Sequence, residues 1–230
     1  MSLRTPLIAT LTAVVTMLGI TAWAWSLVPD GAPVVMHWSI TDGRPDGRLP
    51  KAVAFLVLPL GTLFLSGVYA AIPRIEPRHA NLLASRKLYF AGWYCALAIF
   101  TVLHAFLVLN ATGIAIDVPR WVLLASALMM AVLGNYLGKS RATFFVGMRS
   151  PWSLSSDEAW KTSNRVSGHW LVAAGVVTAV VTLFAGWRQG LVTLVCGAVI
   201  SAVAGLISSY LVWKRDPHRH TEGREELHPE

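Results

Sequence analysis

Charge is scarce in this sequence. Asp, Glu, Lys and Arg make up only 13% of 230 residues, against about 25% in an average soluble domain, which excludes an ordinary water-facing globular surface. Cysteine is scarcer still. Cys95 and Cys196 each sit inside an apolar run without Cys-x-x-Cys or Cys/His spacing, so a disulfide framework and a zinc site are both removed. They read as small packing residues. Acids are few, 12 against 19 Lys and Arg, for a net charge of +7. The basic residues fall in the gaps between apolar runs, so they read as a membrane-topology signal and not as a nucleic-acid surface. No nucleophile stands beside a base, and no metal-ligand set or phosphate loop is present, so an enzyme is not expected.

What is abundant is apolar sequence: 55% hydrophobic residues and a mean hydropathy of +0.56. A helix needs roughly 20 apolar residues to cross a bilayer, and six stretches qualify: Leu7 to Val28, Ala52 to Ile72, Leu88 to Asn110, Trp121 to Leu137, His169 to Gly186 and Leu191 to Trp213. The expected fold is therefore an all-α integral membrane bundle. Arg4 and Ala22-Trp23-Ala24 imitate a signal peptide around the first stretch, but its apolar core exceeds the roughly 7–15 residues of a signal sequence, so it reads as a retained span. The turn Trp187-Arg188-Gln189-Gly190 separates the last two spans. With both termini cytoplasmic, fourteen Lys and Arg lie inside and five outside (Arg44, Arg48, Lys51, Arg120 and Arg188), as the positive-inside rule requires.

The gaps carry the information. Residues 29–51 hold four prolines and Asp-Gly pairs around a short extended piece, Val34 to Trp38, which predicts a compact outer loop built from turns. His37, Asp42 and Asp46 there lack a known metal-ligand spacing, and turn formation accounts for both aspartates, so no metal is assigned. Two prolines open the basic gap 73–87 and break a helix at its start, while Asn81 to Lys87 reads as a short interfacial piece. His104 falls within the third span, where an ionisable residue is a functional candidate. A neutral histidine hydrogen-bonded to a neighbouring helix is the plainer reading.

Two stripes of small residues mark close helix seams: Gly134 and Gly138 in the fourth span, with Asn135 placed to bond across the contact, and Gly197, Ser201, Gly205 and Ser209 in the sixth. Such a face packs within one chain or between two copies, leaving a homo-oligomer open. Residues 134–170, the longest interruption between apolar runs, contain Gly147-Met148-Arg149-Ser150-Pro151-Trp152, which predicts a bend at headgroup level with Trp152 as anchor. Ser155 and Glu158 form the capping-box pattern of a helix that starts near Ser156 and runs through Trp160, Lys161 and Arg165 into the fifth span.

This stretch resembles the carboxy-terminal signature of the SdpI family of bacterial membrane proteins. The resemblance rests on Gly134-Asn135-Tyr136, Phe145, Gly147 to Ser156, Asp157 and Trp160. Pro33, His37-Trp38, Gly43, Pro45-Asp46-Gly47, Lys51 and Pro59 resemble the amino-terminal module common in that family. Two positions depart from it: Asn164 stands where relatives often carry histidine, and Gly138 where they carry proline. A proton or metal role of that histidine does not transfer.

The resemblance implies a multi-pass protein of the bacterial plasma (inner) membrane. Its namesake protects the cell from a secreted toxic peptide and, toxin-bound, holds a cytoplasmic transcriptional repressor at the membrane. By analogy, His37, Trp38, Asp46 and Gly47 become candidates for the peptide side. Asn135, Arg149, Pro151, Trp152, Trp160, Lys161 and Arg165 become candidates for ligand or regulator contacts. Besides the bilayer, the expected partners are thus a toxin peptide and a repressor, with no cofactor and no direct nucleic-acid contact. An accessory or structural membrane protein, and a small transporter, remain as alternatives. The expected division is an amino-terminal membrane module at 1–72, a basic link and third span at 73–118, an SdpI-like module at 119–213 with its loop at 138–168, and a charged, disordered tail at 214–230.

Overall fold

A computed structural model describes residues 1–39 and 44–219. Its elements in chain order are α1 (Arg4–Trp25), β1 (Pro33–Trp38), β2 (Pro45–Pro50), α2 (Lys51–Ile75), α3 (His79–Ala84), α4 (Arg86–Ala111), α5 (Val118–Leu137), α6 (Pro151–Leu154), α7 (Asp157–Phe184) and α8 (Trp187–Arg215). Six helices, α1, α2, α4, α5, α7 and α8, are long and apolar enough to cross a membrane. The fold is thus mostly helical, but β1 and β2 pair as an antiparallel hairpin, so an all-α description omits one element. Asp42, Gly43 and the tail from residue 220 onward lie outside the described residues.

Two boundaries and one cap differ from the sequence reading, each for a local reason. Pro73 lies inside α2, which continues to Ile75; membrane helices tolerate proline where neighbours satisfy the freed backbone. Gly186 adopts φ +102°, a left-handed conformation that reverses the chain within Ala185-Gly186. Trp187 to Gly190 therefore form the first turn of α8, closed by Gly190 N–H donating to the Gly186 carbonyl at 3.1 Å. The fifth span continues the helix expected to start near Ser156, and α7 begins at Asp157. Its cap is Ser156 and not Ser155: Ser156 Oγ accepts the Ala159 N–H at 3.1 Å, whereas Ser155 Oγ donates back to the Pro151 carbonyl at 2.8 Å. A capping box does occur, one short helix earlier, where Ser150 and Ser153 exchange bonds of 3.0 and 2.8 Å around α6.

The helices pack as two threesomes joined where α4 meets α5. In the first, α1, α2 and α4 meet through an apolar cluster of Ala24, Val28, Val34, Ala54, Phe55 and Val108 near the hairpin, and another of Leu82, Tyr89, Trp93 and Leu97 at the opposite end. Ser66 ties them together, accepting from Thr10 Oγ1 at 3.1 Å and from Trp93 Nε1 at 3.2 Å. In the second, α7 lies between α5 and α8. A bilayer supplies no hydrophobic drive for helix association, so close contact must come from small residues and interhelical hydrogen bonds.

Gly134 of α5 and Gly168 of α7 provide that contact. A Cβ on Gly168 would lie 2.6 Å from the Gly134 carbonyl oxygen, and one on Gly134 2.7 Å from that of Gly168. Across the other seam, Ser167 Oγ donates to the Ser201 carbonyl at 3.0 Å and Ser201 Oγ to that of Ser167 at 2.9 Å. Gly168→Val is expected to overpack the first seam at a cost of at least about 1–3 kcal/mol. Heating in mild detergent, followed by size exclusion, should show earlier loss of the monodisperse protein. Gly67→Ala, whose Cβ enters open space, serves as control; equal midpoints for the two variants would contradict this account of the seam.

Candidate functional site

The segment between α5 and α6 has almost no regular structure, so its backbone groups need partners from elsewhere. At this loop end of the bundle, the link between α2 and α4 supplies many of them. The buried Glu76 carboxylate accepts the N–H groups of Phe144 at 3.0 Å and Phe145 at 3.2 Å, and that of Arg78 at 3.1 Å. Ser85 Oγ accepts the Arg141 N–H at 2.8 Å, and Asn81 Nδ2 donates to the Ala142 carbonyl at 2.8 Å. From the other side, Trp160 Nε1 donates to the Ser140 carbonyl at 3.1 Å. The buried Asn164 amide grips Met148 twice, accepting its N–H at 2.7 Å and donating to its carbonyl at 3.3 Å. Gly147, at φ +110°, passes so near Trp160 that a Cβ would lie 2.6 Å from the indole ring.

Around this framework the signature residues separate. Trp160 is buried, while Arg149, Pro151, Lys161 and Arg165 are exposed; the Arg149 guanidinium donates to the Phe144 carbonyl. Trp152 meets Tyr210 edge-on with ring centroids 5.1 Å apart. Asp157 and Glu158 form no ion pair with Arg149 or Arg165 among the described residues. Asn135 is exposed and makes no hydrogen bond across the α5–α7 contact among the described residues, which corrects the role expected for it. The contact needs no such bond, because Gly134 and Gly168 already bring the backbones together. Gly138 approaches Arg165, Gly197 faces Ala174, and Gly205 faces Ser167 and Met148. Ser209 Oγ lies 2.9 Å from Ser150 Oγ. Beyond α8, Asp216 accepts from Ser156 Oγ at 2.5 Å and from His218 N–H at 2.8 Å. The Ser156 hydrogen bond is the main reason that this carboxyl is held below its ordinary range.

At the hairpin end, His37 Nδ1 and Asp46 Oδ1 are 2.5 Å apart on the surface. Gly47 sits opposite His37, where a Cβ would come within 2.7 Å of the histidine's own. Trp38 and Met36 wall an apolar cleft of about 250 Å³ together with Leu103, Leu123, Trp187 and Leu191. Lys51 fastens the hairpin to α1: its ammonium donates to the Val28 carbonyl at 2.9 Å, the Trp25 carbonyl at 3.2 Å and Asp30, above the Trp25 ring. That contact lowers the Asp30 carboxyl from its ordinary range. His104 is fully buried, with Nε2 3.0 Å from both the Met17 carbonyl and Thr21 Oγ1. It joins α4 to α1.

The model of the SdpI/YfhL protein family matches residues 139–209. The matched stretch contains the gripped loop, α6, all of α7 and most of α8. A relative extends the likeness over most of the chain: the Immunity protein SdpI of Bacillus subtilis (strain 168) is 23% identical over 194 residues, covering 83% of this chain and 87% of that protein. No solved structure matches the chain.

Glu76 escaped the sequence reading, although it is the lone acid between Asp46 and Asp117 and lies in a basic link. Gly168 escaped too. With Ser163, Ser167, Gly175, Thr178 and Thr182 it belongs to a stripe of small and hydroxylated residues that α7 buries.

Glu76→Ala is expected to leave the Phe144 and Phe145 amides without their acceptor, at about 1–3 kcal/mol for each donor that stays buried. Hydrogen exchange should accelerate at those two amides and leave the middle of α7 unchanged; unaltered protection would refute the grip. The Asp216 contact has a definite pH sense. Its carboxyl is lowered in the fold, so the contact stabilises above the ordinary carboxylate pKa of about 3.9 and is lost as pH falls through the folded value. Asp216→Asn should flatten the acid limb of a pH-stability profile, and an unchanged limb would count against the contact.

Proposed function

We propose that this protein confers immunity to a secreted antimicrobial peptide from within the bacterial plasma membrane. The observation that carries the reading is the reach of the likeness: it spans most of both chains and so takes in the hairpin module as well as the SdpI segment. The positive-inside count supports an arrangement with both termini and the gripped loop in the cytoplasm and the hairpin outside. On this reading the hairpin end, with His37, Trp38, Asp46 and Gly47, meets the peptide. The loop end, with Arg149, Trp152, Lys161 and Arg165, meets a cytoplasmic repressor.

Signalling across the bilayer requires the peptide to favour one arrangement of the helices over another. The structure of the loop end suits a receiving platform, because Glu76 and Asn164 hold it in register with both halves of the bundle.

The test is survival. A sensitive bacterium expressing the protein should withstand secreted peptides that kill the parent strain, and charge reversal at Lys161 and Arg165 should abolish repressor capture while protection persists. Absence of protection against every peptide tried would sink the immunity reading and favour an accessory membrane protein. Capture that survives the reversal would remove those two residues from the platform.

A further inference from the structure

The cleft at the hairpin end is too small for a whole ligand. At about 250 Å³ it falls below the range of about 300–1,000 Å³ for pockets that enclose a small molecule. It has room for a side chain from a larger partner, and its walls of Met36, Trp38, Leu103, Leu123, Trp187 and Leu191 are apolar. They come from β1, α4, α5 and α8, so an occupant would touch both halves of the bundle at once.

Two neighbouring features define that partner. β1 pairs with β2 alone, and its other edge has no backbone partner among the described residues. Such an edge accepts an extended chain through main-chain hydrogen bonds, which a lipid tail cannot supply. The second feature is charge. Arg188 is exposed directly after Trp187, its guanidinium 5.5 Å from the indole centroid, and it forms no ion pair among the described residues. No acid lines the cleft among the described residues; Asp46, bonded to the lining His37, and Asp117, next to the lining Val118, are already engaged, the latter with the Arg120 N–H at 3.3 Å. The rim therefore keeps a cation to offer a carboxylate.

We propose that this cleft is a peptide-binding site: an extended segment lies along the free edge of β1, places an apolar side chain in the cleft and sets a carboxylate against Arg188. The inference rests on the reading that the hairpin end meets a secreted peptide, and it specifies the chemistry of what is recognised there.

The test uses the full chain in lipid nanodiscs and a fluorescein-labelled octapeptide of alternating Leu and Thr with a free C-terminal carboxylate, read by anisotropy. Arg188→Glu, a surface change, is expected to weaken binding by about fivefold or more, and the carboxamide form of the peptide should be insensitive to that substitution. Leu123→Trp, which fills the cleft, should abolish binding, with monodispersity confirming that the variant is folded. N-methylation of alternate amides in the probe should also abolish binding. No binding to the unaltered chain would overturn the proposal. So would equal binding of the N-methylated probe together with displacement by lysophosphatidylglycerol, the outcome of a lipid pocket.

Protection assays separate this proposal from the immunity reading. If the unaltered protein protects cells and Arg188→Glu protects equally well, immunity stands and the cleft assignment falls. If the unaltered protein protects against nothing, the immunity reading fails and the proposed occupant fails with it.

Discussion

The close approach of α5 and α7 at Gly134 and Gly168 is the contact on which the second half of the molecule depends. Each carbonyl occupies space that a side chain on the opposing glycine would need. Burial of apolar surface does not drive helices together in lipid, because the alternative surroundings are equally apolar. Backbone proximity therefore has to serve instead. It also places α7 where Ser167 exchanges hydrogen bonds with Ser201 on α8, so one helix organises two seams. The first half solves the same problem with hydroxyls and rings: Ser66, Trp93 and His104 reach across α1, α2 and α4.

The loop end shows the complementary constraint. Irregular backbone beside a bilayer must find hydrogen-bond partners within the protein, and here they come from both halves of the chain. Glu76 holds the Phe144 and Phe145 amides, and Asn164 pairs with Met148 as a neighbouring strand would. The resemblance to the SdpI family implies histidine at this position; the asparagine's amide can both donate to and accept from one peptide unit. That capacity gives the departure a structural role in this chain.

Much of the architecture was legible because length and hydropathy report membrane spans directly. The start of α7 could be read from Ser155-Ser156-Asp157-Glu158, although two adjacent serines left the cap ambiguous by one residue. The extent of α2 beyond Pro73 was harder to read, since lipid-embedded helices tolerate a residue that would end a soluble one. The grip on the loop left no periodic trace: Glu76 reaches residues 68 and 69 positions away, and side-chain-to-backbone bonds over such distances impose no spacing rule. Asn135 misled for the opposite reason. An amide between two glycines matches a familiar seam pattern, yet the contact it was assigned to is made by backbone on either side of it.

The length of α7 has a mechanical consequence. Its 28 residues make a rod of about 42 Å, roughly 12 Å longer than the hydrocarbon layer. The protruding end carries Trp160 and Asn164, the residues that hold the irregular loop, while the far end lies near Trp187 and the cleft. A tilt of only about 10° would displace one tip of such a rod relative to the other by roughly 7 Å. A small rotation at one membrane surface would then become a displacement larger than one helical turn at the other.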